Sequence, residues 1–298
     1  MNQRMMSRRD ALITLSAGLP IAARLEAAAL PRFSFVIVSD THLGRNDNDS
    51  AARQWQKTAA AINKVDADLV LHLGDIVDGG RAEQYPLYLE TRKLIRKPVH
   101  EIPGNHDPQT LFEKHIRKPV ELALDHKGIR FLLVNDSHTD SHDGFLTDKQ
   151  LDWLEQQCAE AARKELFVIL CGHVPAHDNK HPDRGWHIKP STGQTKLYHL
   201  LGKHKERVLA LFHGHFHNGL RGWDDRAPLH EISFPSALYN QDRQLEKQKA
   251  PGYNLSEFGP GFVVATLDKG LLLLRYQPVE AESKEATTKR CSLPQLKE

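Results

Sequence analysis

Carboxylates, imidazoles and one carboxamide recur along the chain in short ordered runs: Asp40-x-His42, Gly74-Asp75-x-x-Asp78, Gly104-Asn105-His106-Asp107, Gly172-His173 and Gly214-His215-x-His217. Carboxylate oxygen together with imidazole nitrogen suits borderline or hard divalent ions such as Mn, Fe, Zn or Co. Each run follows a strand-like stretch, so each places a ligand-type side chain where a strand runs out. The chain therefore reads as a scaffold for a two-metal site. Two ions about 3.5–4 Å apart can share one carboxylate and one hydroxide, and that hydroxide is a strong nucleophile near neutral pH. The chain carries 18 histidines, and about half of them are expected only to decorate the surface.

The elements that must position these side chains alternate. Phe33 to Ser39 reads as a strand, followed by a helix from Ala51 to Val65, a strand Leu69 to Leu73 and a helix Ala82 to Ile95. Val99 to Ile102 is a third strand, with a short helix over Thr110 to His115. An antiparallel pair follows, Val120 to Leu124 turning through Asp125 to Gly128 into Ile129 to Val134. Thr147 is an N-cap candidate for a helix to Arg163, with Leu151, Leu154 and Cys158 on one face. Leu166 to Leu170, Val208 to Phe212, Leu229 to Phe234, Gly261 to Leu267 and Leu271 to Tyr276 read as further strands, with a helix over Thr195 to His204. Strands alternating with helices and then closing in hairpins predict an α/β fold, with a mixed sheet or two sheets and helices outside. Ligands gathered at strand C-terminal ends are the usual site geometry of such sheets.

The 298 residues suit one large α/β domain. A charged fraction of 26% against 40% hydrophobic residues allows a sizeable core. A net charge of +2 gives no electrostatic case for a nucleic-acid partner or a membrane surface. Residues 1–30 are read as an export signal outside the fold. Ser7-Arg8-Arg9-Asp10, the modest apolar run Ala11 to Ala23 and then Ala27-Ala28-Ala29 resemble a bacterial twin-arginine signal with small residues for cleavage. Arg24 and Glu26 interrupt the run too early for a spanning helix. The expected location is periplasmic or extracytoplasmic, and the expected domain covers 31–277. The charged, aperiodic stretch 278–298 is expected to be a disordered or loosely attached tail. Three cysteines without a CxxC spacing predict no disulfide framework.

The ordered runs between Phe33 and Leu220 resemble the calcineurin-like metallophosphoesterase superfamily. The resemblance implies a sandwich of two mixed β-sheets flanked by helices, with the site at strand C-terminal ends. It also implies that Asp40, His42 and His217 hold one metal, that Asn105, His173 and His215 hold a second, and that Asp75 bridges the two. His106 is then a catalytic side chain near the leaving group rather than a ligand; Asp107, next to it in sequence, is the candidate to orient it. Gly74 and Gly104 would let the backbone turn sharply beside the metals. The implied activity is hydrolysis of a small-molecule phosphoester by a metal-bridging hydroxide. The compact single-domain form favours diesters, and a phosphomonoesterase on the same site is the alternative. Cys171-Gly172-His173-Val174-Pro175 lacks the doubled histidine that cyclic-nucleotide-type relatives often show, which weakens assignment to that branch.

An inactive metal-dependent scaffold and a nuclease are competing readings. The complete ligand set with His106 opposes the first, and the lack of a basic stripe opposes the second. Several other residues have plainer roles. His72, inside an apolar strand, is expected to be a packed, hydrogen-bonded histidine. His213 stays outside the metal set. Asp78 is expected to cap or hydrogen-bond its turn. His177, His181 and His187 are expected to be solvated in their loop. For Arg45 and Asn46, just after Asp-x-His, contact with a phosphate is the minority reading, and Trp186 and Trp223 are expected to pack structurally.

Overall fold

The structure, a computed structural model, describes residues 30–45, 48–178, 185–217, 219–225, 229–240, 259–279 and 288–292. Residues 1–29 of the export-signal segment, Asn46 and His181 lie outside them. The elements in chain order begin with β1 (Phe33–Val38), α1 (Asn48–Asn63), β2 (Val70–Leu73), α2 (Gln84–Arg92), β3 (Val99–Ile102) and α3 (Gln109–His115). Next come β4 (Leu122–His126), β5 (Ile129–Leu133), α4 (Asp148–Arg163), β6 (Phe167–Cys171), α5 (Gln194–Lys203) and β7 (Val208–His213). The chain closes with β8 (Arg221–Asp225), β9 (His230–Ser233), β10 (Gly261–Asp268), β11 (Leu271–Pro278) and β12 (Thr288–Ser292).

These strands form two mixed sheets with helices outside. The first runs β12-β11-β10-β1-β2-β3, with β1, β2 and β3 parallel and β10 antiparallel to β1. The second runs β4-β5-β6-β7-β9-β8, parallel from β5 through β9 and closed at both edges by antiparallel strands. β1 shows why its run looked continuously apolar. Phe33, Phe35 and Ile37 face the second sheet, where they join Phe131, Ile169 and Phe212. Val36 and Val38 face the other way, onto Trp55 of α1 and Tyr85 and Tyr88 of α2. A strand buried on both faces loses the polar half of its alternation. Each such side chain contributes about 1.5–3 kcal/mol relative to exposure, so this layer holds the strand ends in fixed register.

α4 forms where its cap demands. The Thr147 hydroxyl accepts from Gln150 N at 3.2 Å, and the Gln150 side chain accepts from Thr147 N at 2.9 Å. Leu151, Leu154, Cys158 and Ala161 then share the face that covers the second sheet. The β4–β5 pair starts two residues later than its apolar run suggested. It closes on Lys127 (φ 45°) and Gly128 (φ 86°), the two positive angles that a tight hairpin of right-handed twist needs. The expected loose tail is corrected at 288–292, which form β12 on β11 with Leu272 opposite Cys291. β8 was also unforeseen, because Arg221-Gly-Trp-Asp-Asp225 has no apolar alternation and is an edge strand. Among the described residues no helix is long and apolar enough to cross a membrane.

Candidate metal centre

All the ligand-type runs leave parallel strands at their C-terminal ends, and the turns that follow are stitched together. Asp40 N donates to the Gly74 carbonyl at 2.9 Å, His42 N to that of Asp75 at 3.0 Å and Leu43 N to that of Ile76 at 3.0 Å. The turn after β1 therefore lies along the turn after β2. Asp40, His42, Asp75, His215 and His217 all have positive φ, between 43° and 71°. A left-handed backbone costs a non-glycine residue about 1–2 kcal/mol. The fold concentrates that strain here, which turns these side chains into one space. Glycine permits the closest approach: a Cβ on Gly104 would lie 2.2 Å from Asp75 Oδ1 and one on Gly74 2.6 Å from His173 Nδ1.

Two buried groups result, and Asp75 belongs to both. Asp40, His42, Asp75 and His217 form one; Asp75, His173 and His215 form the other. His42 Nε2 lies 3.0 Å from His217 Nε2, and His173 Nε2 lies 3.2 Å from His215 Nδ1. Asp75 Oδ2 is 3.5 Å from His42 Nε2 and 3.3 Å from His173 Nε2. Asp40 Oδ1 is 3.0 Å from His217 Nε2. The outer nitrogens fix the tautomers. His173 Nδ1 donates to the Leu73 carbonyl at 2.6 Å and His217 Nδ1 to that of Tyr239 at 3.1 Å. His42 Nδ1 faces Asp78 Oδ1 at 3.1 Å. At His173 and His217 the ring proton is spent outward and a lone pair faces the cluster, as metal-bound histidines require. Asn105 Oδ1 is buried and has no hydrogen-bond partner among the described residues. Such an acceptor is costly to bury unless a cation or donor meets it. The donor set thus fits divalent metal ions.

Electrostatics agree with the geometry. Burial alone would raise the Asp40 carboxyl, but His217 and His173 hold it well below the usual carboxylate range. Burial would likewise raise Asp75, which His173 and His42 hold far below it. Burial would lower the His173 imidazole, yet Asp75 and Asp40 beside it raise it to about 10. A point that draws a proton this strongly also draws a metal cation. Burial dominates at His215 and pushes its imidazole well below the ordinary value.

The surrounding residues hold the turns. Asp107 does not orient His106, contrary to expectation. Its carboxylate accepts from Ile76 N at 2.9 Å, Val77 N at 3.1 Å and Gly104 N at 2.9 Å, and from the Tyr85 hydroxyl at 3.3 Å. It therefore clamps the turns after β2 and β3 to each other. Burial, with Asp75 nearby, pushes it up to about 6. His106 is held instead by Asp78, whose carbonyl accepts from His106 Nδ1. Its ring stands edge-on to His42, with centroids 4.8 Å apart. Asp78 hydrogen-bonds within the turn as expected, and its carboxylate also takes Arg45 Nη1 at 2.9 Å. The Arg45 guanidinium lies 4.4 Å from the centre of the Tyr239 ring, which packs on His42 and His217.

Other calls divide. His72 is buried against the Thr41 hydroxyl at 3.1 Å, as a packed histidine should be. His177 and His187 are buried rather than solvated, at 6% and 8% exposure. His177 Nδ1 lies 2.9 Å from Glu231 Oε1, and the same oxygen accepts from Ala176 N and His177 N at 2.9 Å. Tyr198 donates to Glu231 Oε2 at 2.8 Å. His177, His213 and Glu231 are close enough to hold an ion, but these donors already fill the carboxylate, which anchors the chain just after His173. Sequence reading missed Glu231, Asp136, His142 and Tyr239. Asp136 accepts from His173 N at 2.8 Å and Val174 N at 3.2 Å, and it follows β5 in the same strand-end position as the foreseen residues. Trp186 does pack, with its ring stacked 4.2 Å from His142 and tilted 5.2 Å from His215. The Trp223 side chain lies outside the described residues.

Known proteins share this arrangement of sequence and fold. Residues 33–219 match the family Calcineurin-like phosphoesterase. A probable glycerophosphodiester phosphodiesterase of Arcobacter nitrofigilis is 31% identical over 199 residues, covering 61% of this chain and 71% of that protein. A 3',5'-cyclic-nucleotide phosphodiesterase of Nostoc sp. is 27% identical over 197 residues, covering 63% and 71%. Among solved structures, a dimetal phosphatase from Danio rerio superposes with a TM-score of 0.64 at 16% identity, over 86% of this chain and 98% of that one.

Proposed function

The chain belongs to the calcineurin-like phosphoesterase family, and on that premise we propose that it hydrolyses small-molecule phosphodiesters at a centre of two divalent metal ions. The observation that carries this reading is Asp75, which stands between two groups of lone-pair nitrogens. Asp40, His42 and His217 would hold one ion and Asn105, His173 and His215 the other, with Asp75 shared. The oxygen and imidazole donors suit Mn, Fe, Zn or Co; when bound, such ions supply Lewis acidity and a water-derived nucleophile.

The protein's own part is position and protons. Asp107 and Asp136 fix the turns that carry Asp75, Asn105 and His173. The Asp78 carbonyl takes the Nδ1 proton of His106, so Nε2 is the nitrogen left to serve the leaving oxygen. Proton donation of that kind contributes about 10²–10⁴-fold. The glycerophosphodiester and cyclic-nucleotide relatives support diesters over monoesters.

The test is metal content together with hydrolysis of a bis-aryl and a mono-aryl phosphate by wild type and Asp75→Asn. Two ions per chain, diester preference and an inert but folded variant are expected. Retained activity in Asp75→Asn would sink the site assignment, and monoester preference would change the substrate class. For location, the paired Arg8 and Arg9 support twin-arginine export. Replacing both with lysine should hold the protein in the cytoplasm on cell fractionation, and unchanged export would refute it.

A further inference from the structure

The second metal group includes a carboxamide, and a carboxamide needs orienting. Its oxygen and nitrogen ends are nearly alike in shape, so Asn105 binds a cation only if something claims its nitrogen. Asn105 Nδ2 donates to His142 Nδ1 at 3.3 Å. That bond leaves Oδ1, which is buried without another partner among the described residues, as the end available to a cation. His142 comes from the loop between β5 and α4, far in sequence from every ligand run.

His142 is itself held. Its ring stacks on Trp186, with centroids 4.2 Å apart and planes 20° apart. Trp186 belongs to the loop after β6, and the two loops are tied beside the stack. Gly144 N donates to the His187 carbonyl at 3.2 Å, His187 N to Asp143 Oδ1 at 3.2 Å, and Lys189 Nζ lies 3.1 Å from the same oxygen. The stacked pair also walls an open cleft of about 420 Å³ that begins at Asn105 and includes Asp140.

We propose that His142, backed by Trp186, is a positioning residue that locks the Asn105 amide with its oxygen toward the second metal. This rests on the reading of Asn105 as a ligand. Loss of a partner that orients a metal ligand typically costs about 10–100-fold in metal affinity. The imidazole acts through the acceptor at Nδ1, and an asparagine side chain places its amide oxygen at nearly the same point. His142→Asn should therefore substitute for histidine, while His142→Ala should not.

The experiment is calorimetric titration of manganese into chelator-stripped wild type, His142→Ala, His142→Asn, Asn105→Ala and the double alanine variant, with kcat and KM for a bis-aryl phosphate. Wild type is expected to bind two equivalents. His142→Ala should bind one of them about 10–100-fold more weakly and lose kcat at limiting manganese, recovering it when manganese is raised. His142→Asn should stay within a few-fold of wild type. In the Asn105→Ala background, His142→Ala should add no further loss. Unchanged manganese affinity in His142→Ala, or an equal additional loss without Asn105, would overturn the proposal. Fewer than two equivalents in wild type would overturn the metal reading beneath it, a failure visible before any variant is compared.

Discussion

Gly104→Ala adds one methyl group at the tightest point of the site, and the structure sets the size of the effect. The new Cβ would lie 2.2 Å from Asp75 Oδ1, 2.4 Å from Asp75 N and 2.8 Å from His173 Cε1, where ordinary contact begins near 3.4 Å. Relief requires a shift of about 1 Å between the turns after β2 and β3. Neither turn yields easily. The Asp75 carboxylate accepts from His106 N at 3.0 Å, and Asp107 clamps Gly104 N and Ile76 N together. Overpacking of this kind costs about 1–3 kcal/mol, which for a domain of this size lowers Tm by several degrees. A misplacement of about 1 Å at reacting groups costs about 10²-fold in rate. The control is Gly202→Ala on the exposed side of α5, where a Cβ meets nothing within 4 Å. There the helix gains about 0.5–1 kcal/mol. Thermal melts, manganese titration and bis-aryl phosphate hydrolysis on both variants decide the matter. A Gly104→Ala enzyme with wild-type kcat/KM and metal affinity would refute the close packing of Gly104 on Asp75.

Glu231→Gln should destabilise the chelator-treated protein in a pH-dependent way. Burial would raise the Glu231 carboxyl, but His177, His213 and Tyr198 hold it down to about 2 against an ordinary 4.5. A depressed folded pKa gives stability that is present above the unfolded value and lost as pH falls through the folded one. The wild-type advantage, on the order of 3 kcal/mol near neutrality, should fade between about pH 5 and pH 2. Urea denaturation across that range checks it, and parallel curves would contradict the anchor. His106→Asn should lower kcat by about 10²–10⁴-fold while keeping the manganese stoichiometry; a variant that loses metal instead would make His106 a ligand. Manganese at about 100 times its Kd should add about 2.7 kcal/mol of stability, seen as a Tm rise that a chelator reverses and that Asp75→Asn largely abolishes.

The five ordered runs were legible because the side-chain types that bind metals are few and because each run ends a strand-like stretch. That punctuation survives without any knowledge of tertiary structure. The α/β layering was legible for the same reason: β1, β2, β6 and β7 are buried on both faces, so their sequences are mostly apolar, while the division into two sheets came from the family resemblance. The boundaries of α4 followed from Thr147 and Gln150, whose capping bonds are local. Local interactions leave local signals.

What failed to show has the opposite character. β8 and β12 are edge strands on ladders to a single neighbour, and their sequences carry no apolar alternation. Asp107 was placed in the site by its adjacency to His106, yet only the folded chain shows its oxygens turned to the Gly104 and Ile76 amides. His177 looked solvated because its loop is polar, while the carboxylate that buries it comes from β9, more than fifty residues away. His142 and Trp186 carry no spacing that links them to each other or to Asn105. The sequence alone determined which side chains could bind metal and at which strand ends they stand. Only the tertiary structure decided which turn lies against which, because contacts between loops depend on sheet order and register, and these bring together residues that no local pattern relates.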